Sequence, residues 1–380
     1  MPSVQGVMLS VQADRLLGAF LDLVRIDSPS GEEAKAAAWC AEALAATGCT
    51  VRFDDAAAGT GSDTGNLIAE LAGSLPGVLV LAAHLDTVMP GRGIEPVVED
   101  GVVFSAGETV LGADDKAGLA VAIECVRCLS ESGQPHPTVR CVFTVQEETG
   151  LKGAKALAPE DVAGSLCLVL DAAGPLGGVV IGAPTHYTFR ARFTGRAAHA
   201  GVAPEEGISA ILMASDAIAR MRQSRIDERT TANVGTITGG VADNVVPASA
   251  EVTGECRSLD RSAVDRLQQE MDAAMHAAAR RAQGEAHVDW RIEYEGFEVA
   301  EDAQAVRWVE AACADVGVEM RLLKTGGGSD ANVFSKLGVP TLALACGMEG
   351  VHGTGEHIAV ADMVALATLC IAAARQVAEG

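Results

Sequence analysis

The stretch "TVQEETG", residues 144–150, closes an apolar run with two adjacent glutamates, Glu147 and Glu148. Neighbouring carboxylates repel and lose hydration when shielded from water, so the pair needs either open solvent or a strong positive charge between them. Four other stretches carry groups of related chemistry. "AAHLDT" places His84 and Asp86 two apart at the end of an apolar run, on one side of a strand, as suits an imidazole ligand oriented by a carboxylate. "GADDKAG" sets Asp114 and Asp115 in a glycine-flanked loop before a helix. One of them is explained as a helix cap; a carboxylate's two oxygens can also bridge two cations. Asp171 stands alone at the end of "LCLVLD", and "VHGTGEH" holds His352 and His357 in a glycine-rich turn. Singly, each has a plainer reading as a polar strand end, a cap or a surface turn. Together they supply histidines and carboxylates at successive strand ends, the place where open α/β sheets bind ligands. Nitrogen and oxygen donors without a thiolate suit Zn²⁺, with Mn²⁺ or Co²⁺ able to substitute. Two such ions would account for the glutamates: one ligates a cation, and the other stays free as general base beside a water that the ions activate.

The elements that must position these groups are legible from periodicity. "GVLVLAAHLD", "TVRCVFTVQ" and "LCLVLDAAG" read as strands, with "DDKAGLAVAIECVRCLSESG" as a helix between the first two. "SPSGEEAKAAAWCAEALAATG" reads as a capped helix ending at a glycine. This alternation specifies an α/β sheet flanked by helices. The pattern then changes to β-α-β-β-α-β, from "HYTFRARFTGRAAH" through "SAVDRLQQEMDAAMHAAARRAQG" to "HVDWRIEYEGF", a sandwich of one sheet and two helices. After about residue 297 the α/β signature returns. The expected organisation is an α/β catalytic domain in two segments, 1–182 and 297–380, with a second domain inserted at 183–296.

The formal charge of −23 argues against nucleic acid and against an anionic membrane as partners. No stretch is read as the roughly 20 apolar residues of a membrane span, and the opening "MPSVQGVMLSVQADRLL" lacks the basic start and apolar centre of a secretory leader. Ten cysteines, scattered as singles through apolar segments, are expected to be buried thiols in a reducing compartment, hence a cytoplasmic protein. Cys125 and Cys128 form a C-x-x-C, but at helical spacing and without a second pair; two core positions one turn apart is the better reading.

The stretches "HLDTVMPGRGIEPVVEDG", "LGADDKAG", "EETGLKGA" and "GRAAHAGVAPEEGISAI" resemble the co-catalytic dinuclear zinc exopeptidases. That family includes peptidase T, the carboxypeptidase G type, aminoacylase-1 and succinyl-diaminopimelate desuccinylase; the likeness is greatest to the peptidase T-like aminopeptidases and covers nearly the whole chain. It implies a mixed-sheet catalytic domain with an inserted ferredoxin-like α+β lid and dimerisation domain, two bound divalent ions, most simply zinc, and hydrolysis of short peptides from the N-terminus. An N-acyl amino acid deacylase or a carboxypeptidase of the same family is the alternative, and a metal-binding relative that has lost catalysis is a third reading, opposed by the intact Glu147 beside Glu148.

Carried over by residue, the resemblance makes His84 a metal ligand oriented by Asp86, and Asp114 the bridge between the ions. It gives Glu148 to one ion and Asp171 to the other, with His352 as the ligand of an H-x-x-x-E pattern completed by Glu356. Glu147 becomes the base that takes a proton from the bridging water and passes it to the leaving amine. His199, in "RAAHAG", would stabilise the tetrahedral oxyanion at the active site of the partner subunit of a homodimer built through the lid. Asn244 and Arg257 match substrate-binding positions, and Arg257 suits a peptide carboxylate because its fork pairs with both oxygens. Gly328 and Ser329, in "TGGGSDANVF", could offer backbone N–H groups to the same carboxylate, or simply form a turn before a helix capped by Ser329 or Asp330.

Overall fold

The computed structural model describes residues 10–380; residues 1–9, part of the stretch read above for a leader, lie outside the described residues. The chain divides into two compact units. One runs through Ile181 and resumes over Val299–Lys324 and Ser329–Gly380; the other is Gly182–Glu298 with Thr325–Gly328. The glycine-rich loop 325–328, read from the sequence as part of the second catalytic segment, therefore belongs with the inserted unit. There the Thr325 N–H donates to the Gly182 carbonyl at 3.0 Å, and Gly328 lies against the ring of Tyr294.

The first unit is built on a mixed sheet. Its centre is four parallel strands in the order Pro137–Thr144, Leu75–His84, Leu166–Ala172 and Thr341–Ala345, flanked by the antiparallel Leu67–Leu71 and Gly178–Ala183. Buried runs such as Leu79, Val80, Leu81 and Ala82 have no exposed face, as strands covered on both sides require. The helices Ala13–Arg25, Ala113–Ser132, Gln304–Val316 and Val360–Glu379 contribute their apolar positions to the same core. Cys125 and Cys128 are two of the buried positions on the helix Ala113–Ser132, and both are free thiols. A smaller sheet orders Met348–Glu349, His357–Ala359, Val102–Ser105 and Pro96–Glu99.

Two expectations are corrected here. Val360–Glu379 is long and apolar enough to cross a membrane, with mean hydropathy 1.5, although the sequence was read as holding no such stretch. Its apolar residues, among them Leu366, Leu369, Cys370 and Ile371, are buried in the core of this unit. The helix Ala34–Ala45, read as capped, takes no side-chain bond from its own N-cap residue Glu33: Asp63 accepts the Ala34 N–H at 2.8 Å, while Ser28 bonds to the Leu85 carbonyl and Ser30 to Asp86.

The second unit is an antiparallel sheet with the helices Ala210–Arg220 and Arg261–Arg281 packed on it. Its four long strands order as Thr230–Gly239, Ser249–Ser258, Thr185–Thr194, Glu285–Tyr294, with a short Ser224–Asp227 beyond the first. With the β-α-β-β-α-β connectivity this is a ferredoxin-like arrangement. The strand Thr185–Thr194, where this unit begins, is paired on both sides, because the last strand of the unit returns beside it rather than beside its sequence neighbour.

Candidate active site

Three of the four parallel strands deliver donors at their carboxyl ends. His84 is the last residue of its strand, Asp171 the penultimate residue of Leu166–Ala172, and Glu147 and Glu148 follow Thr144 in the turn after theirs. Asp114 sits at the start of the helix Ala113–Ser132 with non-helical φ/ψ of −81° and 103°, which turns its carboxylate out of the helical path. His352 lies in the loop joining the paired strands Met348–Glu349 and His357–Ala359, at φ 63°.

The ligand atoms fall into two groups that share one residue. His84, Asp114 and Asp171 have atoms within 4.8 Å of one another, as do Asp114, Glu148 and His352. Asp114 spans both: Oδ1 lies 3.1 Å from His84 Nε2, and Oδ2 lies 3.2 Å from His352 Nε2. Asp171 Oδ1 is 3.7 Å from His84 Nε2, and Glu148 Oε1 is 3.0 Å from His352 Nε2. Glu147 joins His84 and Glu148 in a third grouping of the same span.

Electrostatics show what this cluster lacks. No lysine or arginine among the described residues pairs with Asp114, Glu147, Glu148 or Asp171; the groups that face Asp114, Asp171 and Glu148 are the imidazoles of His84 and His352. Burial, and then the Asp171 charge, push the Glu147 carboxyl well above its ordinary range. Burial and the Asp114 charge raise Asp171 to about 8. His84 is pushed well up in spite of burial by Asp114, Asp171 and Asp86, and hydrogen bonds donated to the Asp114 and Glu148 carboxylates lift His352 to about 10. Asp114 stays low in spite of burial because both imidazoles face it. The cluster thus holds protons where positive charge is wanted. Its nitrogen and oxygen donors are of the kind that suits divalent cations, and Asp114 belongs to two of the donor groups.

The groups around the donors explain their geometry. Asp86 is fully buried just past its strand, and its backbone carbonyl meets His84 Nδ1 at 2.9 Å, closer than its carboxylate at 3.4 Å. The carboxylate accepts from the Ser30 hydroxyl at 2.6 Å and from the backbone N–H groups of Glu147 and Glu148 at 2.9 and 3.2 Å. Asp86 therefore orients the imidazole and pins the two glutamates together. The turn they occupy is held at Gln146, a non-glycine residue at φ 51°, whose N–H donates to buried Glu33 and whose side chain bonds Thr60, Thr149 and Lys152. Asp115 is spent on backbone groups: its carboxylate accepts from the His84 and Gly118 N–H groups at 3.1 Å each. Glu356, also buried, accepts from the Gly112 and Asp114 N–H groups at 2.7 and 2.9 Å and so ties the His352 loop to the Asp114 loop. Asp330 is buried with Oδ2 on the Thr144 hydroxyl at 2.5 Å. Sequence reasoning left Ser30, Glu33, Gln146 and Asp330 outside the site; the sole signal was that "SPSGEE" and "SDAN" each hold more polar groups than a cap needs.

The residues that the resemblance assigns to the substrate lie in two places. His199 and Asn244 are exposed and adjacent: the Ala200 N–H donates to the Asn244 carbonyl at 2.9 Å, and His199 bridges to Val245. Arg257 is on the strand Ser249–Ser258, bonded to Glu255 and to the Tyr294 hydroxyl, and Gly328 abuts that same tyrosine. The Ser329 hydroxyl is occupied as the cap of the helix Asp330–Lys336, accepting from the Ala331 N–H at 3.3 Å. His357 Nε2 lies 3.7 Å from Glu349, outside the donor groups.

Comparison with known proteins follows the same lines. The sequence model of peptidase family M20/M25/M40 matches residues 80–376. The Bacillus subtilis protein YqjE is 40% identical over 370 residues, covering 97% of this chain and 100% of its own. Among solved structures, aminopeptidase PepT from Bacillus cereus superposes with a TM-score of 0.91 at 39% identity, covering 97% of this chain and 99% of that one. A tripeptidase from Staphylococcus aureus superposes with a TM-score of 0.93 at 34% identity, covering 97% and 100%. A match over most of the chain, on a fold shared with two solved peptidases from end to end, makes this protein a hydrolase and a member of peptidase family M20/M25/M40.

Proposed function

We propose that the protein is a metal-dependent aminopeptidase that releases residues from the N-terminus of short peptides, tripeptides among them. The observation that carries this reading is the sharing of Asp114 between two donor groups with Glu147 beside them. His84, Asp114 and Asp171 would hold one cation, and Asp114, Glu148 and His352 the other, with Zn²⁺ favoured by the donor set. Bound there, the cations supply Lewis acidity toward a peptide carbonyl and lower the pKa of water. The chain's own part is proton transfer. Glu147, buried at the turn, takes the proton of the attacking water as the C–O bond forms, and returns it to the amide nitrogen as the C–N bond breaks. Asp86 keeps that carboxylate in place through the backbone of its turn. Arg257 takes the carboxylate of the peptide, and His199 with Asn244 serves the oxyanion and substrate.

The two solved relatives are an aminopeptidase and a tripeptidase, which favours this substrate class over N-acyl amino acids or removal of C-terminal residues. A homodimer through the inserted unit belongs to the same reading. Leu212, Ile237 and Val241 are exposed there, and among the described residues the strand Thr230–Gly239 has no strand partner on one side beyond Ala232. The ten free cysteines support a reducing compartment such as the cytoplasm.

The decisive experiment combines Glu147→Ala with a substrate panel. The wild-type protein should cleave tripeptides in preference to N-acyl amino acids, and the variant should lose about 10²–10⁴-fold in kcat while binding as much metal. A variant with wild-type turnover would overturn the base assignment; preference for N-acyl amino acids would overturn the substrate class.

A further inference from the structure

Arg257, the residue given the peptide carboxylate above, is held by its neighbours rather than left to swing. Glu255 precedes it by two residues on the strand Ser249–Ser258, so both side chains leave the same face. A single oxygen of Glu255, Oε2, accepts from Arg257 Nε at 3.1 Å and from Nη2 at 2.6 Å. Buried His186, which pairs with Arg257 across the strand register, brings Nε2 within 2.7 Å of that same oxygen. Arg257 Nη1 donates to the Tyr294 hydroxyl at 3.2 Å, and the Tyr294 ring packs on the His186 ring with centroids 5.1 Å apart. Gly328 closes the stack, for a Cβ there would stand 2.3 Å from Tyr294 Cζ.

A guanidinium has five N–H groups. Among the described residues these contacts take the one on Nε and one on each terminal nitrogen, leaving one on each terminal nitrogen for a ligand. Glu255 is ionised across any working pH, since His186 and Arg257 hold its carboxyl down to about 2. Its two effects on ligand binding have opposite sign. Its negative charge offsets the attraction of Arg257 for another carboxylate, whereas its oxygen fixes a long side chain before binding, so that the entropy of ordering it is lost on folding and not on association.

We propose that Glu255 is a positioning residue for substrate recognition: it fixes the Arg257 fork, with His186 and Tyr294 as the wall behind, and the orienting effect outweighs the loss of charge. The proposal rests on the reading of Arg257 as the partner of the peptide carboxylate.

The test measures kcat and KM for a tripeptide and for the same tripeptide with a C-terminal amide, using the wild type, Glu255→Ala, Glu255→Gln and Arg257→Ala. Glu255→Ala should raise KM for the free acid by ~10-fold, with the loss in KM rather than kcat and no matching change for the amide. Glu255→Gln keeps an acceptor oxygen and drops the charge, so it should retain most of the wild-type preference. An unchanged or lowered acid KM in Glu255→Ala would overturn the proposal, as would equal losses for acid and amide with a lowered unfolding temperature, the mark of a merely structural residue. If Arg257→Ala separates acid from amide while Glu255→Ala does not, the proposal alone falls. If Arg257→Ala treats the two substrates as the wild type does, the reading of Arg257 falls and takes the proposal with it.

Discussion

The protons on Asp171 and His352 are the residue-scale signature of the site. Asp171 is raised to about 8, and His352 to about 10, in the absence of cations. A ligand must be deprotonated to bind metal, so below pH 8 both groups give up a proton on loading. The sign follows: affinity should rise as pH increases toward 8, by at least about tenfold per unit where a single proton is displaced. Calorimetry of Zn²⁺ binding in buffers of different ionisation enthalpy checks this, and an affinity flat between pH 6 and 8 would contradict it. The same reasoning separates Asp114 from Asp115. Asp114 faces two imidazoles and is held low, whereas Asp115 is spent on backbone N–H groups and is pushed up by burial and by Asp171.

At the scale of elements, the donors are placed by close approach between the helix Ala113–Ser132 and the strand Leu166–Ala172. Gly118 makes that approach possible: a Cβ there would stand 2.3 Å from Asp115 Oδ1 and 2.5 Å from the Leu170 carbonyl. Neither neighbour can retreat, since Leu170 is strand backbone and Asp115 braces the His84 N–H. Gly118→Ala should therefore cost about 1–3 kcal/mol of stability by overpacking and weaken metal binding as the Asp114 and Asp171 carboxylates part. Thermal unfolding with and without Zn²⁺ measures both effects; a variant equal to wild type in both would show that the element spacing has slack. The loop of His352 is governed in the same way by Glu356, whose two oxygens hold the Gly112–Asp114 backbone.

For the whole molecule, the open prediction concerns self-association. The strand Thr185–Thr194 is paired on both sides and cannot add another strand; among the described residues the inserted unit's sheet has its free edges at Glu285–Tyr294 and, on the opposite side, at Ser224–Asp227 with the part of Thr230–Gly239 beyond Ala232. Ile237 on that strand is 49% exposed, and Leu212 on the helix Ala210–Arg220 is 70% exposed. Placing a charge at both, Leu212→Asp with Ile237→Asp, should convert a dimer to monomers in sedimentation and lower activity as strongly as His199→Ala. Fully active monomers would remove the role given to His199 across subunits. The net charge of −23 adds long-range repulsion between copies, so association should strengthen with salt.

The donor set was legible in the sequence because it is local information: apolar runs end where strands end, and His84, Glu147, Glu148 and Asp171 stand at those ends with nothing apolar about them. The two-domain order was legible for the same reason, through a change of periodicity along the chain. What the sequence could not decide was who touches whom across long separations. Asp86 orients a turn 61 residues on, Glu356 clamps a loop 242 residues before it, and Arg257 finds Tyr294 on a strand that is not its own sheet neighbour. Such contacts depend on strand order and register, fixed by non-local pairing and by which faces bury together. The same physics put Val360–Glu379 into a core rather than a bilayer, closed the edge of Thr185–Thr194 and spent Ser30 on Asp86 instead of a helix cap. Residue types and their spacing determined the chemistry available to this protein; only the packed sheet decided which atoms share it.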